Sequence, residues 1–240
     1  QINTLFGQDF KLKKKSENKR EGKAQYYVLA SNDTIKHGDY KIKAYSGKRI
    51  LLEGTYNFNK KTGLWKEQYY GKFYKGPKAT GFYKDDNKVG EWCYFGYKGD
   101  TVQIYNWSAD SLIYFKPSDF DNKEYIVIDS SIEQKVKLDI PPTCVGGTEY
   151  FLYEFGRDIG DYSQYFKNLG NELYSLKTKI ILTIDQNGKL TDIAFSTNEN
   201  KKLENIIKAY IKTFRWFPGE KNSKPLTTKL EFSVNLSSQY

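Results

Sequence analysis

General acid–base, nucleophilic and metal chemistry draw on clusters of histidine, cysteine and carboxylate side chains, and this sequence offers few of them. Its one histidine, His37, sits in the turn-like KHGDY, and its two cysteines, Cys93 and Cys144, lie far apart along the chain. No zinc-ligand spacing, phosphate loop or nucleophile elbow occurs. Asp158 and Asp161 of GRDIGDY could join a calcium site, but two carboxylates in a polar loop read first as solvated. The expectation is a non-catalytic protein with no cofactor and no metal, in which His37 is structural. An even cysteine count permits a disulfide in an exported protein, although nothing local brings Cys93 and Cys144 together.

The chemistry that the residues do support is main-chain recognition. Thr228, Leu230, Phe232, Val234 and Leu236 alternate with Lys229, Glu231, Ser233 and Asn235, which predicts a strand with one buried and one wet face. At the edge of a sheet such a strand offers unpaired N–H and C=O groups to an extended visitor, so Thr228, Lys229, Leu230, Glu231, Phe232, Ser233, Val234 and Asn235 are the candidate partner-binding residues. The alternative is that residues 125–128 (YIVI) or a second copy of the chain covers this edge, because proteins rarely leave a long edge bare.

The elements around that strand follow from periodicity. Leu203, Ile206, Ile207, Tyr210, Ile211 and Phe214 recur at helical spacing, and Pro218 places the helix end near Trp216. Residues 176–184 alternate as a strand, Asp185-Gln-Asn-Gly188 is a turn, and residues 189–196 return antiparallel, with Leu190 on the wrong parity, which suggests a bulge or a turn-end contact. Tyr150, Phe151, Tyr153, Glu154 and Phe155 open an earlier helix after Gly146-Gly147. Three antiparallel strands with two helices on one side give each apolar stripe a partner, a two-layer α+β domain over residues 141–240.

Before it the texture is different. Residues 1–23 include KLKKKSENKREGK, a like-charge run that predicts a mobile basic arm. Residues 24–116 hold short tyrosine-rich strands and an internal repeat: GTYNFNKKTGLW from Gly54 and GFYKDDNKVGEW from Gly81 match in register, with a weaker copy at Gly38, Tyr40 and Gly47. The segments KKTG and DNKVG read as hairpin turns with glycine supplying the positive φ. Copies must stack edge to edge, giving an antiparallel meander with a ladder of Tyr40, Tyr56, Trp65, Tyr83 and Trp92. Residues 117–140 read as a linker carrying one short strand, with Pro141 and Pro142 as a stiff boundary.

The repeat resembles the MORN type found in bacterial envelope proteins, which implies a scaffold and, in some families, contact with lipid. The segment from PPTCVGG to FSVNL resembles the TonB C-terminal domain family, on Gly146-Gly147, the hairpin ILTIDQNGKLTDIAF, FRWFPG with Trp216, Pro218 and Gly219, Lys224-Pro225 and the closing LEFSVNL. It departs from that family between Gly156 and Ser175, where a tyrosine–proline step is replaced by RDIGDYSQYFKNLGNELY. The resemblance implies that a short segment of an outer-membrane transporter docks along the last strand. The family's energy transducers also carry a membrane helix and a proline-rich spacer, which are not in this sequence, so the expectation is a relative without the motor connection.

Composition sets the remaining expectations. The chain has 240 residues, 38% hydrophobic and 17% aromatic, and a formal charge of +9. That suits thin layers built on aromatics, and it favours anionic surfaces such as acidic glycan or lipid if the charge is more than a solvated surface. No apolar run approaches the roughly 18 residues of a membrane helix. The sequence contains no methionine, so Gln1 reads as the residue left by a cut signal peptide, and the chain as an exported protein of the periplasm or envelope of a Gram-negative bacterium. Three partner readings stay open: a protein or peptide strand, with a homodimer through the sheet edge as one form of it; anionic glycan or lipid on the basic aromatic sheet; and nucleic acid, which export makes the weakest.

Overall fold

In the N-terminal part every strand pairs only with its neighbours in sequence. A computed structural model describes residues 2–5, 8–71, 76–130, 132–167, 175–197 and 201–237, with side chains described over 10–71, 76–130, 132–159, 177–197 and 201–235. These fall into two units, Gln1–Lys116 and Pro117–Tyr240. The first is one antiparallel sheet of ten strands in sequence order. They are β1 (Ile2–Leu5), β2 (Gln8–Asn18), β3 (Gly22–Leu29), β4 (Asn32–Ala44), β5 (Ile50–Asn57), β6 (Lys60–Gln68), β7 (Pro77–Lys84), β8 (Asn87–Phe95), β9 (Thr101–Asn106) and β10 (Ser111–Phe115).

The basic stretch expected as a mobile arm is therefore mostly β2, paired with β3 from Leu12↔Leu29 to Asn18↔Lys23. Backbone pairing outweighs the charge run because alternate side chains divide the load: Lys11 and Lys13 are exposed while Phe10 and Leu12 are half-buried. The hairpin turns also lie earlier than expected, just before KKTG in one repeat and at the start of DNKVG in the other. Phe58-Asn59 and Asp85-Asp86 both have positive φ (45° and 67°, 49° and 69°), the signature of two-residue type I′ turns. Gly63 and Gly90, read as turn glycines, instead sit inside β6 and β8 with φ of 68° and 61°.

Gly54 and Gly81 open the two repeats for a different reason, which is contact. A Cβ on Gly54 would lie 2.2 Å from the Trp65 ring, and one on Gly81 would lie 2.4 Å from Trp92. Each tryptophan lies flat against the backbone of the preceding strand, where no side chain fits.

The second unit is organised by its last strand. Its elements are β11 (Tyr125–Asp129), β12 (Ile132–Val136), β13 (Thr143–Cys144), α1 (Gly147–Lys167), β14 (Ser175–Ile184), β15 (Leu190–Phe195), α2 (Lys201–Ile211), β16 (Trp216–Phe217), β17 (Gly219–Lys221) and β18 (Lys224–Ser237). Among the described residues the sheet has six strands rather than three, in the order β12-β11-β18-β14-β15 with β17 also on β18. The expected strands are its β18-β14-β15 portion. The expected bulge appears as a register shift between Thr183↔Asp192 and Ile184↔Leu190.

Ile180, Leu182, Ile184, Leu230 and Val234 point to one face, where they share a core with Phe151, Phe155 and Ile159 of α1 and Leu203, Ile207 and Ile211 of α2. Helix α2 stops at Ile211 rather than near Trp216. Trp216 is occupied elsewhere: its strand pairs with Thr143–Cys144, and its indole Nε1 donates to the Ile211 carbonyl at 3.2 Å, satisfying an orphan at the helix end.

Residues 117–140, expected as a linker, belong to this unit. The buried Asp121 carboxylate accepts from the Ser118 amide and hydroxyl (2.8 and 2.7 Å) and from the Thr148 hydroxyl at the start of α1 (2.8 Å). Pro141 and Pro142 are buried within the unit, beside the Ile140↔Glu220 bridge, and mark no boundary. Gln1 and the side chain of Asp161, both singled out in the sequence, lie outside the described residues, as do residues 168–174 of the segment that departs from the TonB pattern.

Candidate functional site

Strand β18 alternates as the sequence predicts. Thr228, Leu230 and Val234 are buried and Phe232 is half-buried on the helix face, while Lys229 and Glu231 are half-buried and Ser233 and Asn235 exposed on the other. Along one side it pairs with β14 over its whole central length, from Ser175↔Ser237 to Ile184↔Thr228. At its start Lys224, Pro225 and Leu226 pair with β17. Along the side away from β14, Thr227, Thr228 and Lys229 face β11. Beyond Lys229 no described strand pairs with that side. Thr228 and Lys229 are thus enclosed on both flanks and drop out of the candidate edge, while Glu231 to Asn235 stay on it.

Which main-chain groups point outward is fixed by neighbouring bonds. The Lys179 amide donates to the Ser196 hydroxyl at 2.8 Å and its carbonyl accepts from the Ser196 amide at 2.9 Å. Lys179 is therefore turned toward β15. Ser233, directly opposite Lys179 across β14 and β18, is in a non-bonded pair, and its own N–H and C=O face away from β14. By the same alternation Glu231 and Asn235 face outward, and Leu230, Phe232 and Val234 bond inward to β14. One contact shows this directly: the Lys123 ammonium donates to the Glu231 carbonyl at 3.2 Å.

A groove opens where β11 leaves β18. It is lined by Tyr125, Ile126, Phe232 and Ser233, with Lys123, Lys135, Lys179 and Lys229 and the carboxylates of Glu124 and Glu231. Lys179 pairs with Glu231 at 3.0 Å, and Lys229 pairs with Glu133. Lys123 and Lys135 form no ion pair among the described residues; Lys123 also lies 5.3 Å from the centre of the Tyr125 ring. The groove carries an excess of positive charge beside main chain that no described strand pairs. The sheet has two further outer sides, at β15 and β12. The edge at β15 is short and bulged at its start, a usual way of blunting an edge.

The aromatic ladder forms as a continuous file. Ring centroids are 5.3 Å apart for Tyr40–Tyr56, 5.3 Å for Tyr56–Trp65, 5.7 Å for Trp65–Tyr83 and 5.1 Å for Tyr83–Trp92, mostly edge to face. Lysines close it from above. Lys36 lies 5.4 Å from Tyr56, Lys61 lies 4.6 Å from Trp65 and 4.9 Å from Tyr83, and Lys88 lies 4.0 Å from Trp92. Each of these lysines stands two residues before a positive-φ glycine and four before an aromatic: Lys36-Gly38-Tyr40, Lys61-Gly63-Trp65 and Lys88-Gly90-Trp92. The weak copy thus aligns on the second glycine of the repeat rather than the first.

Burial would raise the Glu67 carboxyl, but Lys78, Lys88 and Lys61 override it and hold it near 2; desolvation lowers the Lys61 ammonium. Trp65 and Trp92 are 0% exposed, so these two rings offer no open stacking surface to a sugar or a base.

The remaining chemical candidates are structural in their surroundings. His37 is buried between the rings of Phe10 and Phe58 (5.1 and 4.8 Å), and burial lowers its pKa. Asp158 lies within α1 rather than in a loop; it accepts from Arg157 Nε at 2.8 Å and from the Tyr210 hydroxyl at 3.0 Å. Cys93 and Cys144 lie in separate units and are not joined in a disulfide, and burial pushes both upward in pKa. No cluster of three metal-ligating side chains occurs among the described residues, and no described helix is long and apolar enough to cross a membrane.

Sequence reasoning missed Lys123, Lys135 and Lys179 at the groove. Nothing local marks them, since the sheet order that gathers them is non-sequential. No family model, curated protein or solved structure matches this chain.

Proposed function

We propose that this protein is a non-catalytic interaction module of the bacterial envelope whose C-terminal unit receives an extended peptide by strand addition along Glu231–Asn235. The observation that carries the reading is the change of partner midway along β18: β11 pairs with it as far as Lys229, and from there the outward N–H and C=O groups of Glu231, Ser233 and Asn235 face no described strand. Main-chain bonds there would supply affinity, and the side chains around the groove would supply selectivity. The finer readings belong with this proposal. The ten-stranded sheet is a MORN-type scaffold, the β14-β15-α2-β18 portion is a relative of the TonB C-terminal domain, and an outer-membrane transporter segment in the periplasm is the partner class that this kinship suggests.

The test follows from the hydrogen-bond alternation. Proline at Phe232 or Val234 would remove an inward bond to β14 and damage the fold, whereas proline at Ser233 removes only an outward donor. A display library of random heptapeptides, presented both internally and at a free C-terminus, is selected on the wild-type chain. Ser233→Pro should abolish binding of the selected peptides while its melting temperature stays close to wild type. Full binding by a folded Ser233→Pro protein, or no peptide selected at all, would overturn strand addition at this edge.

A further inference from the structure

The groove also dictates which end of a peptide it accepts, an inference that rests on the strand-addition reading. Strand β11 already occupies the first part of the line that a visitor would extend. It runs antiparallel to β18, with Tyr125 at the end nearest the open stretch and its last pair at Ile126↔Lys229. A peptide that also runs antiparallel to β18 would enter beside Asn235, travel toward Glu231 and meet the N-terminal end of β11 head on. There the line is blocked by the chain at Lys123, Glu124 and Tyr125, so the peptide must stop or turn away.

The charges at that stop point discriminate between directions. Lys123 and Lys135 have no carboxylate partner among the described residues, and Lys179 and Lys229 stand beside them, against the carboxylates of Glu124 and Glu231. An antiparallel visitor delivers its C-terminal end here; a parallel one delivers its N-terminal ammonium into the same lysines. We infer that the site captures the free C-terminus of a partner chain, docked antiparallel to β18, with its terminal carboxylate held by Lys123 and Lys135.

Lys123 is suited to a change of partner. Its ammonium now rests on the Glu231 carbonyl at 3.2 Å, the acceptor that an incoming peptide N–H would take. As that N–H arrives the ammonium is displaced toward the carboxylate, so one lysine caps the unfilled edge and then the filled one.

The best peptide from the free-C-terminus arm of the library is synthesised as the acid, as the C-terminal amide and with one added glycine. Each is titrated calorimetrically into the full chain and into Lys123→Ala and Lys135→Ala variants. A charge-assisted contact of this kind predicts that the amide binds about tenfold more weakly than the acid, that the added glycine weakens binding further, and that the lysine variants weaken the acid but not the amide. A nitroxide on the penultimate residue should broaden the Tyr125 amide resonance more strongly than one on the first residue of the same heptapeptide, ~17 Å further along the strand. Equal binding of acid and amide, or stronger broadening of Tyr125 by the label on the first residue, overturns C-terminal capture. If acid and amide bind equally and both are lost in Ser233→Pro, strand addition stands and only the end selectivity falls. An acid preference that survives Ser233→Pro unchanged would sink strand addition at this edge and, with it, the docked geometry proposed here.

Discussion

The two units solve the burial problem in opposite ways. In the N-terminal sheet each strand pairs with the next in sequence, and much of the apolar surface is buried within the layer itself, by rings lying edge to face and by lysine stems laid across them. In the C-terminal unit two helices cover one face, and β18 lies between β14 and β11. The first design closes its aromatic file strand by strand. The second has a central strand that is enclosed over one half and, among the described residues, paired on one side only over the other. A recognition edge is more readily left by non-sequential assembly, because the strand covering it comes from elsewhere in the chain and need not match its length.

The contrast can be broken first at the ladder. Trp65→Ala should cost about 3–5 kcal/mol, whereas Leu64→Ala, one residue away and 43% exposed, should change stability by less than about 0.5 kcal/mol. Calorimetric melting of the two variants checks this, and similar losses for both would mean that the ladder does not carry the sheet. Gly81→Ala should cost about 1–3 kcal/mol because its Cβ meets Trp92 at 2.4 Å. Gly156→Ala, within α1 and with no atom inside 4 Å of its Cβ, should instead add about 0.5–1 kcal/mol. Denaturant titration with opposite signs for the two glycines would sharpen the distinction between glycine kept for contact and glycine merely tolerated.

The smallest effect concerns pH. His37 is buried with its pKa lowered by desolvation, so the unfolded chain binds the proton more readily. The stability it contributes is full above the ordinary histidine range and falls as pH drops below about 6.5, by at most about 1.4 kcal/mol per pH unit. His37→Phe, placed between Phe10 and Phe58, should flatten that part of the stability profile between pH 7 and 5. An unchanged slope would assign it to other groups.

Much of this was legible in the sequence where the determinants are local. The alternation of Thr228, Leu230 and Val234 with Lys229, Ser233 and Asn235 gave the correct faces of β18, and the stripe from Leu203 to Ile211 gave α2. Composition misled at residues 11–23, because a lysine run solvates one side of a strand as readily as it disorders an arm once Phe10 and Leu12 face inward. Hydrophobic spacing overran at Phe214, since Trp216 is drawn into a strand with Cys144. The Lys-x-Gly-x-aromatic pattern at Lys36, Lys61 and Lys88 stood in the sequence and could have shown that the lysines belong to the ladder. That residues 125–128 could cover the edge was legible as an alternative, but that the cover stops at Lys229 was not, because β11 reaches β18 from a hundred positions away along the chain.

Amide hydrogen exchange of the free chain, resolved residue by residue along β18, tests the central claim most directly. Bonds to β14 should protect Phe232 and Val234, and β11 should protect Lys229, while Ser233 and Asn235 exchange at rates near those of open chain and become protected when a selected peptide is added. Ser233 protected as strongly as Phe232 before any peptide is present would show that the edge is already covered.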